Sequence, residues 1–227
     1  MGKRLLFFVA GAWLFGISQS IATAQKDEDR LGLTCSQVLA MKPDQWAEYY
    51  NKKNPGGEEG YDHAYESYAE CMKRRNDTAL AKLPRLSADR MRRYRALCGK
   101  FRVDNLEFQQ AYAGGGTMYA HAMVRGQVED EELIARLARI YSTSGPAGHS
   151  AGSGLARIKA RLAALNPATA ANRKKLGEFS AVEQGKTAYR DVRREIAALE
   201  PLLAAERPVA RRILVKFLDD ASHVFGG

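Results

Sequence analysis

The chain has 227 residues, 45% of them hydrophobic and 27% charged, with 35 basic side chains against 26 acidic ones. That is an ordinary globular composition, with enough chain to bury a core in one or two domains. The basic balance admits anionic partners, and three cysteines exclude a fully paired disulfide framework within one molecule.

The chain opens on a cationic start, Lys3 and Arg4, followed by an uncharged apolar run from Leu5 to Ile17. Ala22 and Ala24 then supply the small-residue pair that a signal peptidase needs, which predicts a mature N-terminus at Gln25. The apolar run falls short of the roughly 20 residues of a membrane span. A lipoprotein signal is excluded because Thr34 precedes Cys35 and the acidic Asp27-Glu28-Asp29 intervenes. The expectation is therefore a periplasmic or secreted protein with no membrane span after cleavage. Export, not charge, argues against nucleic acid as a partner.

After residue 25 the periodicity is helical throughout, so the fold class is all-α. Tyr61, Tyr65 and Tyr68 recur at helical spacing, as do Tyr94, Cys98, Phe101, Phe108 and Tyr112, with Asn105 on the same side. Leu133, Leu137 and Ile140 continue the pattern. Asn54-Pro55-Gly56-Gly57, Pro84 and Gly114-Gly115-Gly116 break it. The Gly/Ser-rich stretch 142–154 reads as a flexible linker. Beyond it, Leu155, Ile158, Leu162 and Leu165 mark one amphipathic segment. Tyr189, Val192, Ile196, Leu199 and Leu203 step by three and four like the seam of a helical hairpin or coiled coil. Val209, Ile213, Phe217 and Ala221 follow Pro208 as a last helix. The expected organisation is a signal peptide (1–24), a helical domain (25–141), the linker (142–154) and a basic helical hairpin (155–227).

Charge follows the same division. Without Lys3 and Arg4 the mature chain carries 33 basic and 26 acidic residues, a balance of +7, of which residues 142–227 hold 14 basic and 8 acidic. Blocks such as Glu58 to Glu70, Lys73-Arg74-Arg75 and Glu129 to Glu132 read first as solvated or mutually paired helix faces, and second as docking surfaces.

Cysteine spacing allows two in-chain pairings that share Cys71. A helical hairpin turning near Pro84 places Cys71 and Cys98 at matching heights, 13 residues before the turn and 14 after it. Pairing Cys35 with Cys71 across the turn near Gly56 leaves an axial mismatch of about 9 Å at 1.5 Å per residue. The expected bond is Cys71 to Cys98, with Cys35 free or bridging two chains into a dimer. No catalytic constellation stands out. There is no Gly-x-Ser-x-Gly elbow, no His-Glu-x-x-His helix, no Cys-x-x-Cys and no phosphate loop, and the four histidines are scattered. The reading is non-enzymatic, with no cofactor and no metal.

Arg93-Tyr94-Arg95-Ala96-Leu97-Cys98 followed by Gly115-Gly116-Thr117-Met118 resembles the LprI-type lysozyme inhibitor family, small exported helical proteins. The resemblance covers about residues 65–140. Arg95 stands where the family has an acidic residue, and no cysteine follows Met118. What the resemblance implies is an envelope protein that protects peptidoglycan by occluding a lysozyme, with Cys98, Gly115, Gly116, Thr117 and Met118 as structural matches. It also implies an activity that resides before residue 142. The alternative class is a periplasmic binding or scaffold module whose C-terminal helices contact a protein partner or an anionic envelope polymer.

Overall fold

The computed structural model describes residues 31–113, 117–143, 153–177 and 179–223. The expected cleavage residues Ala22, Ala24 and Gln25, the motif glycines Gly115 and Gly116, and most of the expected linker lie outside them. The described residues form nine α-helices and no strand.

Local chemistry sets the helix boundaries. α1 (Cys35–Val38) is one turn closed by a capping box: the Thr34 hydroxyl accepts from the Gln37 backbone N–H, and Gln37 Oε1 accepts from the Thr34 N–H at 2.9 Å. Pro43 opens α2 (Pro43–Lys53), where its missing N–H is no loss, and Asp44 and Lys52-Lys53 suit the two ends of the dipole. α3 (Gly57–Leu80) comes close to α2 at Gly60, where a Cβ would fall 2.5 Å from Asn51 Oδ1. Pro84 divides α3 from α4 (Arg85–Ala113), and α5 (Thr117–Ser142) follows, opened by Thr117 and Met118. The last four are α6 (Ser153–Ala164), α7 (Ala170–Leu176), α8 (Phe179–Ala204) and α9 (Pro208–Ala221).

These helices bury two separate cores. The first gathers Val38, Trp46, Tyr50, Tyr65, Tyr68, Cys71 and Met72 from α1, α2 and α3 around Val124 and Val128 of α5. Trp46 is fully buried, and its indole N–H donates to the Ala64 carbonyl at 2.9 Å. The second is built on α4, with Tyr94, Cys98, Phe101 and Phe108 packed among Ile134 and Leu137 of α5, Ile158 of α6, Val192, Ile196 and Leu199 of α8, and Leu214 and Leu218 of α9. Each such aliphatic side chain contributes roughly 1.5–3 kcal/mol by leaving water. α4 and α8 run antiparallel: Lys100 meets Glu195 at 3.7 Å, the Tyr94 hydroxyl donates to the Leu202 carbonyl at 3.4 Å, and Arg90 reaches Glu206 at 3.6 Å.

Three expectations are corrected by this packing. The seam on α8 exists, but it packs mainly on α4 and not within an isolated C-terminal hairpin. The segment after residue 154 therefore shares a core with α4 and α5, and α5 belongs to both cores. Finally, Cys35 is bonded to Cys71, Cα to Cα 5.1 Å, and Cys98 is a buried free thiol, so neither a Cys71–Cys98 bond nor a Cys35-linked dimer forms. The physical reason is that α3 and α4 splay after the Pro84 turn. α3 lies on α2 and α5, whereas α4 lies on α8 and α5, which puts Cys71 in the first core and Cys98 in the second. The axial mismatch that disfavoured Cys35 also disappears. Residues 39–42 separate α1 from α2, so the arm from Cys35 to the turn is not one straight helix.

Candidate functional site: a cationic groove beside α6 and α8

The first acidic block and Lys73-Arg74-Arg75 keep exposed faces, whereas part of the second acidic block is turned inward. Asp130 and Glu131, half of the second acidic cluster, are buried between the cores. Arg102 chelates Asp130 (Nη2 to Oδ2 2.7 Å, Nε to Oδ1 3.2 Å) and donates to the Met123 carbonyl at 3.1 Å. Burial raises the Asp130 carboxyl above its ordinary range, and Arg102 opposes that rise. Gly126 makes room for this guanidinium, since a Cβ there would lie 2.5 Å from Arg102 Cδ. Glu131 accepts from Asn76 (2.9 Å) and Arg95 (2.9 Å), and Arg95 also pairs with Asp77, which joins α3, α4 and α5. At the far end of α4, Glu206 accepts from the Tyr94 and Tyr141 hydroxyls, and burial with this carboxylate pushes Tyr141 up to about 12. These groups hold helices together.

The residues singled out from sequence converge on no reaction centre. Cys98 is 1% exposed, and burial raises its thiol well above the ordinary value, the opposite of an activated nucleophile. His121 Nδ1 lies 2.7 Å from Asp62 Oδ1, a half-exposed link between α5 and α3, with its ring edge-on to Tyr65. Among the described residues no cluster of three or more His, Cys, Asp or Glu is placed to hold a metal.

Among the described residues, a groove of about 520 Å³ lies beside α6 and α8, lined by Lys159, Leu162, Tyr189, Arg193, Ile196 and Glu200 among others. Its length follows from local chemistry. The apolar face of α8 is turned onto α4, so α6 meets the flank of α8 and touches it through the Lys159–Glu200 ion pair, Nζ to Oε1 2.7 Å. A second hollow of about 230 Å³ continues past that bridge toward Leu203, Arg211 and Val215. The floor is apolar: Leu162 and Ile196 are buried core residues, and Tyr189 stands 5.5 Å from the Phe108 ring. The rim is cationic. Arg193 lies over the Tyr189 ring at 5.8 Å, Lys159 is paired with the carboxylate of Glu200, and Arg211 lines the adjoining hollow. Beyond the Asn166 end, α7 exposes Arg173, Lys174 and Lys175.

Pro201 sits inside α8 and has no N–H to give the Ala197 carbonyl, and Ala197 is a groove residue. Such a surface can seat an apolar, acidic segment and carries no group poised for bond making. The amphipathic spacing of α6 and α8 was readable in the sequence, but Lys159, Arg193 and Glu200 were not, because charged residues on the outer face of a helix look alike until its neighbour is known.

Among the described residues no helix is long and apolar enough to cross a membrane. Comparison with protein-family models, with curated proteins and with solved structures gives no match, so the reading of this chain rests on its own residues.

Proposed function

We propose that the mature protein is a non-enzymatic, periplasmic or secreted binding module whose groove beside α6 and α8 takes an apolar-faced, acidic segment of an envelope protein. The export signal supports the location. The single observation that carries the binding reading is the groove itself, an apolar floor of Leu162, Tyr189 and Ile196 under a rim of Arg193 and the Lys159–Glu200 ion pair, with Arg211 in the adjoining hollow. Apolar contact there supplies affinity, and the positive rim steers an acidic partner and rejects a basic one.

A photo-crosslinking residue at Ala197, which is exposed on the groove wall, tests this in growing cells. It should trap a discrete envelope protein, the same residue at exposed Lys52 on α2 should not, and Ala163→Trp, which fills the groove, should abolish the adduct. Identical adducts from both positions would contradict the proposal.

Lysozyme inhibition, implied by the family resemblance, is the second proposal. What supports it is the exposed carboxylate row Glu59, Glu66 and Glu70 along α3, a fit for a cationic enzyme. The full mature chain should then slow lysozyme-driven cell-wall clearance, and Glu66→Lys with Glu70→Lys should remove the effect. Clearance unchanged at micromolar excess of the wild-type protein would end this reading.

A further inference from the structure

The antiparallel register of α4 and α8 brings three chain segments to one end of the molecule. Arg90 lies 3.6 Å from Glu206 and donates to the Tyr141 hydroxyl at 3.3 Å, while Arg207 donates to the Ile140 and Thr143 carbonyls at 3.1 Å. The start of α4, the end of α5 and the α8–α9 turn therefore form a common tip, with Leu86 one helical turn outward from Arg90.

This tip has an unusual surface. Leu86 is 83% exposed and Val209 is 48% exposed, the two large hydrophobic side chains of the described residues that face water. Exposed Lys82 and Arg85 accompany Leu86 along the chain, exposed Arg212 follows Val209 by about one helical turn, and exposed Arg139 precedes the Ile140 whose carbonyl Arg207 holds. The acids at this end are largely neutralised: Glu206 is fully buried under Tyr94, Tyr141 and Arg90, and Asp89 is held by Arg92 at 2.7 Å with Arg85 at 3.9 Å. A lone exposed leucine is ordinary on a protein surface. An exposed leucine and valine that share one helical end with exposed cations fit one environment better than water: the boundary where anionic head groups meet acyl chains.

We propose that this tip is a peripheral docking surface for an anionic lipid bilayer, with Leu86 and Val209 entering the head-group layer and the four cations binding lipid phosphates. No covalent step is involved, and the contact is reversible and salt-sensitive because it has no span or anchor behind it. The inference is independent of the groove.

The test is flotation of the full mature chain with vesicles of phosphatidylcholine alone and with 30% phosphatidylglycerol, at low and physiological salt. The protein should float with the anionic vesicles only. Leu86→Ser should weaken binding about tenfold, from the apolar burial of one leucine. Lys82→Glu with Arg85→Glu should weaken it at least 25-fold, at roughly fivefold for each cation lost. Lys174→Glu with Lys175→Glu on α7, and the groove-filling Ala163→Trp, should leave it unchanged. Equal binding to neutral vesicles, no binding to anionic ones, or an equal loss from the α7 reversal would overturn the proposal. So would loss of solution helicity in the tip variants combined with retained binding by Leu86→Ser. Binding to a soluble anionic polysaccharide but not to vesicles would overturn it in favour of a polymer site.

Discussion

The two cores reach stability by different routes. The first is small and aromatic, and closes a short, turn-separated α1 onto α3 through the Cys35–Cys71 bond and the buried Trp46 indole. With 36 residues between its ends, that bond restricts the unfolded chain by about 4 kcal/mol in the chain-entropy account. The second has no covalent clasp and packs Tyr94, Phe101 and Phe108 of α4 against aliphatic side chains from α5, α6, α8 and α9. Between the two lies a polar layer, Arg102–Asp130 and Asn76–Glu131–Arg95, that fixes how α5 serves both.

Removing everything after Tyr141 breaks the comparison most severely. It uncovers Tyr94, Phe101 and Phe108 along α4, so residues 25–141 alone should lose the cooperative thermal transition of the second core and bind a hydrophobic dye. The disulfide-stapled core should retain helical signal. Calorimetry and circular dichroism check this, and a single sharp transition in the truncated chain would show that the cores are independent of the C-terminal helices. The implication that activity resides wholly before residue 142 is therefore to be tested in the full chain.

A smaller effect sharpens the boundary between the cores. Arg102→Met leaves the Asp130 carboxylate buried without its partner and should lower stability by about 3–5 kcal/mol in urea unfolding. Arg102→Met with Asp130→Leu should recover most of that loss, because two apolar groups of similar size leave no stranded charge. A double variant as unstable as the single would mean that the pair specifies packing which apolar side chains cannot replace.

Much of this fold was legible in the sequence, and the parts that were not share one cause. Periodicity showed that Tyr189, Val192, Ile196, Leu199 and Leu203 make an apolar face, but a stripe does not say which helix covers it, and the cover, α4, lies about a hundred residues earlier. The same gap produced the wrong disulfide. The turn at Pro84 was correctly placed, yet only three-dimensional packing shows that α3 and α4 diverge beyond it. Asp130 sits in a block that reads as solvated and Arg102 in no block at all, and nothing in their spacing distinguishes a buried ion pair from an exposed one. The groove was invisible for a related reason: spacing along α6 and along α8 does not say how closely the two helices approach, and it is their approach that leaves Tyr189 and Ile196 open to the groove.

The assignment of Cys71 to one core and Cys98 to the other is the central structural claim, and peptide mapping under non-reducing conditions tests it most directly. Native protein treated with an alkylating agent should yield a linked Cys35–Cys71 peptide pair, with Cys98 unmodified until the chain is unfolded. A linked peptide containing Cys98, or rapid alkylation of Cys98 in the native protein, would contradict the two-core account.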